Sequence, residues 1–273
     1  MIQSASQSRL SSGESHRLAV RPPALEARGF TLIELLVVIS IIAILAGLLF
    51  PAFAGARNTA NKTASMSKLR QLAAGMIHYA QENNGEIPPE GEANPTWVTS
   101  TEATYATAWY NSVPRLAGGW GLADYAKDQA DFYSPKNLTF VAAAKYPTTK
   151  STAPLFAISM NSKLHDTTLV TNDATVRLQN FVDPANTVAF QEAGVAGDTI
   201  LPGQTKSNYD GQSKSFASRT VARYNGYTLM IMMDGHVASL LASTVVTTAG
   251  KAYSPQSLGS VIWTMDPTLN ANN

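Results

Sequence analysis

The sequence predicts an α+β protein: a long N-terminal helix, half membrane-spanning and half amphipathic, packed on an antiparallel β-rich C-terminal head. Three observations predict it. An almost wholly aliphatic run starts at Phe30, and a helical stripe of apolar residues follows it. Beyond about Ile87 the pattern shortens to strand-length segments separated by Thr, Asn, Gly and Pro. The 273 residues fit one domain comfortably and two at a stretch.

Residues Met1 to Arg28 are polar and irregular, with Arg9, Arg17, Arg21 and Arg28 against Glu14 and Glu26; Pro22-Pro23 argues against a stable helix, and the composition switches at Gly29-Phe30. From Leu35 to Ala56 no residue is charged, and the one charge inside the apolar segment is Glu34. Counted from Phe30 the segment is about 24 residues, enough to cross a hydrocarbon core of about 30 Å as a helix. After Pro51 the pattern turns amphipathic. Met66, Leu69, Ala73, Met76 and Ala80 form one stripe, widened by Leu72 and Ile77, with Arg57, Lys62, Lys68, Arg70 and Gln71 on other faces. Asn83-Asn84-Gly85 supplies a C-terminal stop and Pro88-Pro89 forbids continuation. One helix from Phe30 to about Glu82 would be about 80 Å long at ~1.5 Å per residue.

The head reads as strands at Leu138–Ala142, Leu155–Met160, Thr187–Gln191, Tyr227–Met233 and Val237–Leu241, with another near Val261–Met265. Asp234-Gly235 reads as a two-residue hairpin turn, since glycine takes positive φ readily. A helix is expected around Leu116–Ala130, and 270–273 as a frayed tail.

Composition excludes several functions. Charged residues are 14%, and Lys+Arg 20 against Asp+Glu 19 leaves no electrostatic footprint for nucleic acid. With Cys 0 there is no disulfide, thiol nucleophile, thiolate zinc site or iron–sulfur site.

The stretch Arg28-Gly29-Phe30-Thr31-Leu32-Ile33-Glu34-Leu35-Leu36-Val37-Val38-Ile39 resembles the N-terminal signal of type IV prepilins and type II secretion pseudopilins. The resemblance runs from Arg28 to about Pro88. It implies a pilin-like fold divided into a leader at 1–29, a transmembrane helix at 30–53, a stalk helix at 54–86 and a head at 87–273. It also implies cleavage by a prepilin peptidase between Gly29 and Phe30, and N-methylation of Phe30. Glu34 and Pro51 match family positions tied to assembly. The implied molecule is a structural subunit, not an enzyme. It would be single-pass in the bacterial inner membrane, with its head periplasmic or extracellular. Its implied partners are the peptidase, other pilin-like subunits in a homo- or hetero-polymer, and an inner-membrane assembly platform. A carboxylate in lipid costs a few kcal/mol, so Glu34 calls for a partner, and the new N-terminal amine of a neighbouring subunit is the natural one. The alternative is an acid snorkelling or protonated near the interface. A second, looser likeness lies at Tyr224 and Asp234-Gly235-His236-Val237. It is similar to a His-x9-Asp-Gly motif of long pilin-like proteins, with Tyr224 where that motif has histidine.

Other constellations point to no catalytic set. His16, His78, His165 and His236 lack ligand spacing and read as surface or turn residues. Ser65-Met66-Ser67-Lys68 fits an S-x-x-K pattern but lacks the accompanying motifs, and reads as helix surface. No cofactor is expected; a structural calcium site among the loop acids Asp173, Asp183, Asp198 and Asp210 is the alternative weighed. Trp97, Tyr105, Trp109, Tyr110 and Trp120 read as core aromatics, or else as a carbohydrate-binding face on an adhesin-like module. A secreted enzyme is a third reading, because Ala52-Phe53-Ala54 resembles a signal-peptidase site.

Overall fold

The computed structural model describes residues 30–147, 152–165, 176–245 and 261–265. Two compact units divide between Phe50 and Pro51. Helix α1 (Leu32–Glu82) contributes its first part to the N-terminal unit and its remainder to the second. In the N-terminal unit its large apolar side chains all face outward, from 81% exposed at Leu32 to 45% at Val38.

In the second unit α1 buries the stripe that the sequence predicts. Leu69, Leu72, Ala73, Met76 and Ala80 are buried, and Met66 and Ile77 pack partly buried against the same core. The helix ends as expected at Asn83-Asn84-Gly85. The Gly85 N–H reaches back to the Ala80 carbonyl at 2.7 Å, and Asn84 takes the left-handed conformation (φ 54°). Those two features make a Schellman cap, which satisfies carbonyls that the last turn leaves open.

The helix expected at Leu116–Ala130 is instead three short pieces. Helix α2 (Trp109–Leu116) comes first, then a 3₁₀ turn at Leu122–Tyr125, then α3 (Gln129–Phe132). Gly118, at φ 82°, breaks the run after α2. Asn111, fully buried in α2, binds the surrounding turns: its amide donates to the Ser100 and Tyr105 carbonyls and accepts from the Ala123 N–H.

Five strands form one mixed sheet: β1 (Ile158–Asn161), β2 (Val188–Glu192), β3 (Lys214–Ser215), β4 (Tyr227–Met232) and β5 (Val237–Leu241), in the order β3-β1-β2-β4-β5. The pairs β1–β2, β2–β4 and β4–β5 are antiparallel, as expected, but β1–β3 is parallel. The central strands are covered on both faces. Leu229 and Ile231 of β4 join Phe190, Trp109 and the α1 stripe in one cluster. Met230 and Met232, on the opposite face, join Val188, Val245 and Trp263 in another.

Two strand expectations fail. Leu138–Ala142 is a series of turns, because the ammonium of Lys68 on α1 takes the Asn137 and Phe140 carbonyls at 2.8 and 3.1 Å. The segment near Val261–Met265 makes one parallel bridge, Thr187 to Ile262, rather than a strand. The Asp234-Gly235 turn also differs. The loop is Met233-Asp234-Gly235, closed by the Gly235 N–H on the Met232 carbonyl (2.9 Å) and the Met232 N–H on the His236 carbonyl (2.9 Å), with Gly235 at φ 90°. That is a three-residue hairpin loop with glycine at the left-handed position. The two-residue hairpin turn is Asn225-Gly226, at φ 50° and 90°, which pairs Tyr224 with Tyr227.

Candidate assembly site

Of the residues that the N-terminal motif singles out, Gly29 lies outside the described residues. Phe30 is 81% exposed and precedes the helix. Thr31 and Glu34 then close a capping box. The Thr31 N–H and hydroxyl donate to Glu34 Oε2 at 2.9 and 2.7 Å, and the Glu34 N–H donates to Thr31 Oγ1 at 3.3 Å. Sequence reasoning missed this local role for Glu34, although Thr-x-x-Glu before an apolar run is its signature. Two donors from Thr31 would offset part of the cost of a carboxylate placed in lipid. Past Glu34 the helix presents only apolar and small residues up to Phe50, and Ser40 hides its hydroxyl on the Leu36 carbonyl at 2.7 Å. Among the described residues this is the one helix long and apolar enough to cross a membrane. Pro51 sits inside α1, which continues through it, although proline donates no backbone hydrogen bond there.

The C-terminal pair is placed at opposite ends of β4, so Tyr224 and Asp234 do not meet. Both ends touch α1. Tyr224 is buried and its hydroxyl lies 2.8 Å from Ser65 Oγ, while Gly235 lies so near Ile77 that a Cβ there would stand 3.3 Å from its Cγ1. Twelve helical residues separate Ser65 from Ile77, about 18 Å at ~1.5 Å per residue. The six residues of β4 span about 20 Å at ~3.3 Å per residue. Tyr224 and Asp234 thus flank β4 through the turns at its two ends, and the strand between them is about as long as the stretch of helix from Ser65 to Ile77. Asp234 itself holds the hairpin, accepting from the His236 N–H at 3.0 Å and pairing with His236 Nδ1 at 2.7 Å.

Around Tyr224 is a buried polar cluster that sequence reasoning missed. Its hydroxyl also lies 2.8 Å from Glu192 Oε1, at the end of β2. Arg223 donates to Asp198 at 2.5 Å and to the Ala193 carbonyl at 2.7 Å, and its side chain and that of Asp198 are only 2% and 4% exposed. Burial pushes the Glu192 carboxyl up to about 7, with the Arg223 charge opposing. Burial also pushes the Tyr224 phenol above its ordinary value, reinforced by the nearby Glu192 charge. For Arg223 burial works against the charge, but Glu192 and Asp198 outweigh it and the guanidinium is held more firmly than usual. Ser65 is 4% exposed and so belongs to the interior rather than the helix surface, while Lys68 is half-buried and engaged with two carbonyls.

The remaining candidates are structural. Asp198 and Asp210 face Arg223 and Arg219, Asp183 caps the turn at Asn186, and Asp173 lies outside the described residues. Among the described residues no group of three or more His, Cys, Asp or Glu side chains could hold a metal ion. His78, His165 and His236 each face a carboxylate, on Glu82, Glu90 and Asp234. Trp97, Trp109 and Tyr110 are core residues; Trp109 donates from Nε1 to the Ser213 carbonyl and meets Phe190 edge-on at 5.1 Å. Trp120 is exposed, but the charged groups lining its pocket, Asp131 and Lys136, are paired with each other at 3.2 Å.

Residues 26–50 match the prokaryotic N-terminal methylation motif. Over 99 residues the chain is 37% identical to the type IV wide pilus major component PilA4 of Thermus thermophilus, covering 35% of this chain and 76% of that protein. No solved structure matches.

Proposed function

The chain belongs to the type IV pilin family, and on that premise we propose that it is processed by a prepilin peptidase and polymerised through the first half of α1. A family member of this kind is a structural, non-enzymatic pilus subunit, anchored by its apolar helix and assembled with other pilin subunits. Processing would cut between Gly29 and Phe30, leave Phe30 as the methylated first residue, and divide the chain as leader 1–29, transmembrane helix 30–53, stalk 54–86 and head 87–273. The observation that carries the reading is the outward-facing apolar surface from Leu32 to Phe50, which nothing within its unit covers. Lipid covers such a surface before assembly and neighbouring helices cover it afterwards. Helix packing then replaces lipid contact with little net hydrophobic gain, so polar pairing at Glu34 and close approach at Ala43, Ala46 and Gly47 would set the register. Glu34, held by Thr31 a few residues from the new amine of Phe30, is the group to receive a neighbour's positive N-terminus. Pro51, lacking a backbone donor, would let the helix loosen at the junction of the two units. An inner-membrane platform would move the subunit from bilayer to fibre, with the head on the outer side.

Mass spectrometry of the N-terminal peptide from native membranes tests processing: the mature chain should begin at N-methylated Phe30. A chain beginning at Gly55 would mean ordinary secretory cleavage and would discard the fibre reading. Glu34→Ala should leave leader removal intact and lower incorporation into sheared fibres; an unchanged fibre yield would remove Glu34 from assembly.

A further inference from the structure

The contact between α1 and the sheet contains a device that fibre assembly does not require. Tyr224 Oη lies 2.8 Å from both Ser65 Oγ and Glu192 Oε1. A phenol has one proton and cannot donate to both. Two complete arrangements exist. With Glu192 ionised, Ser65 donates to Tyr224 and Tyr224 donates to the carboxylate. With Glu192 protonated, the acid donates to Tyr224, Tyr224 donates to Ser65, and the Ser65 proton turns back to its own helix. Hydroxyls elsewhere on α1 turn back in this way: Ser40, Thr59 and Thr63 donate to the Leu36, Gly55 and Thr59 carbonyls. The direction of the hydrogen-bond chain therefore follows the ionisation of a carboxyl on β2.

The surroundings of that carboxyl make both states accessible. Glu192 is fully buried, and Oε2 has no full hydrogen-bond partner, although the Leu229 N–H of β4 approaches the carboxyl. The charged and titratable groups facing it are Arg223, Tyr224, Asp198 and, at the edge of the cluster, the buried phenol of Tyr146. Arg223 is committed to Asp198 and to the Ala193 carbonyl. One guanidinium thus serves two buried carboxyls, and the second is poorly compensated when ionised.

We propose that Glu192, Tyr224 and Ser65 form a proton-linked hydrogen-bond latch joining the amphipathic half of α1 to the sheet: its donor order reverses when Glu192 ionises, and the fold around it is more stable in mild acid than in mild alkali. The folded carboxyl, at about 7, holds its proton more firmly than an ordinary one at 4.5. The contribution of Glu192 to stability is therefore full below about 4.5, falls as pH rises through about 7, and is level above that.

Full-length protein in detergent gives two readouts. Infrared difference spectra from about pH 5 to about pH 8 should show a carboxylic-acid C=O band that titrates near pH 7 and is missing in Glu192→Gln. Tyr224→Phe should move that titration upward, because the phenol hydrogen bond favours the ionised form, and Ser65→Ala should move it as well. Urea unfolding followed by tryptophan emission should show the folding constant falling roughly ten- to a hundredfold over the same range, and far less in Glu192→Gln. A band titrating at the ordinary carboxyl value, or one that ignores both Tyr224→Phe and Ser65→Ala, overturns the latch. The infrared titration is read on folded wild type and the two hydroxyl deletions, so it decides the matter even if Glu192→Gln does not fold.

Discussion

Helix α1 contains two glycines in the second unit, and replacing each with alanine should have opposite effects. On helix propensity alone both changes stabilise, by up to about 1 kcal/mol, since alanine loses less backbone entropy. At Gly55 a new Cβ would meet no atom within 4 Å, so Gly55→Ala should gain about 0.5–1 kcal/mol. At Gly75 the same Cβ would overlap the Val113 carbonyl oxygen of α2 and stand 3.1 Å from Ala117 Cβ. Backbone cannot turn aside as a side chain can, so α2 must be pushed off α1. Overpacking of this kind costs about 1–3 kcal/mol, and subtracting the propensity gain leaves Gly75→Ala destabilised by about 0–2 kcal/mol. The two variants should therefore separate by roughly 1–3 kcal/mol in opposite directions. Urea unfolding of the detergent-solubilised chain, followed by emission from the buried tryptophans, measures the difference. Equal stabilisation of the two would refute the close approach of α2 at Gly75.

Burial should decide the worth of two arginine–aspartate pairs. Arg223→Met strands carboxyls that are almost fully buried and should cost about 3–5 kcal/mol, whereas Arg115→Met breaks a pair 41% and 37% exposed and should cost under about 1 kcal/mol. Thermal unfolding of the pair of variants checks this, and similar losses would contradict it. Left-handed backbone should make two asparagines selective: Asn84→Val and Asn225→Val should each lose about 1–2 kcal/mol while the glycine variants stay near neutral, by the same assay.

Much of the architecture is local and therefore legible. The apolar run, the stripe on α1, the Asn84-Gly85 stop and strands β2, β4 and β5 follow from periodicity and turn residues. The parts that escape are those fixed by distant partners. Leu138–Ala142 has strand composition, but the Asn137 and Phe140 carbonyls at its start and within it are taken by Lys68, far back on α1. The two residues of β3 are too few to show any period, and their parallel pairing with β1 is decided across the chain. Ser65 is an instructive miss. Ser65, Leu69, Leu72, Met76 and Tyr79 are spaced 4, 3, 4, 3, so it lies on the buried stripe, but a count of apolar residues passes over a serine. Arg223 carries no local sign of burial, since Asp198 and Glu192 become its neighbours only after folding. The capping pattern Thr31-x-x-Glu34 is fully local, and the apolar run behind it draws attention away.

The two halves of α1 also differ in what they can be exchanged for. The stripe from Leu69 to Ala80 is one wall of the head's interior, fitted to α2 at Gly75 and to the hairpin at Ile77. Among the described residues before Pro51 none is buried. In recombination between related genes, a crossover after Glu82 would join a head to a foreign wall and leave Tyr224 and Gly235 facing mismatched side chains. A crossover near Phe50 would deliver the head complete. The natural module of inheritance is therefore the head together with the second half of its helix.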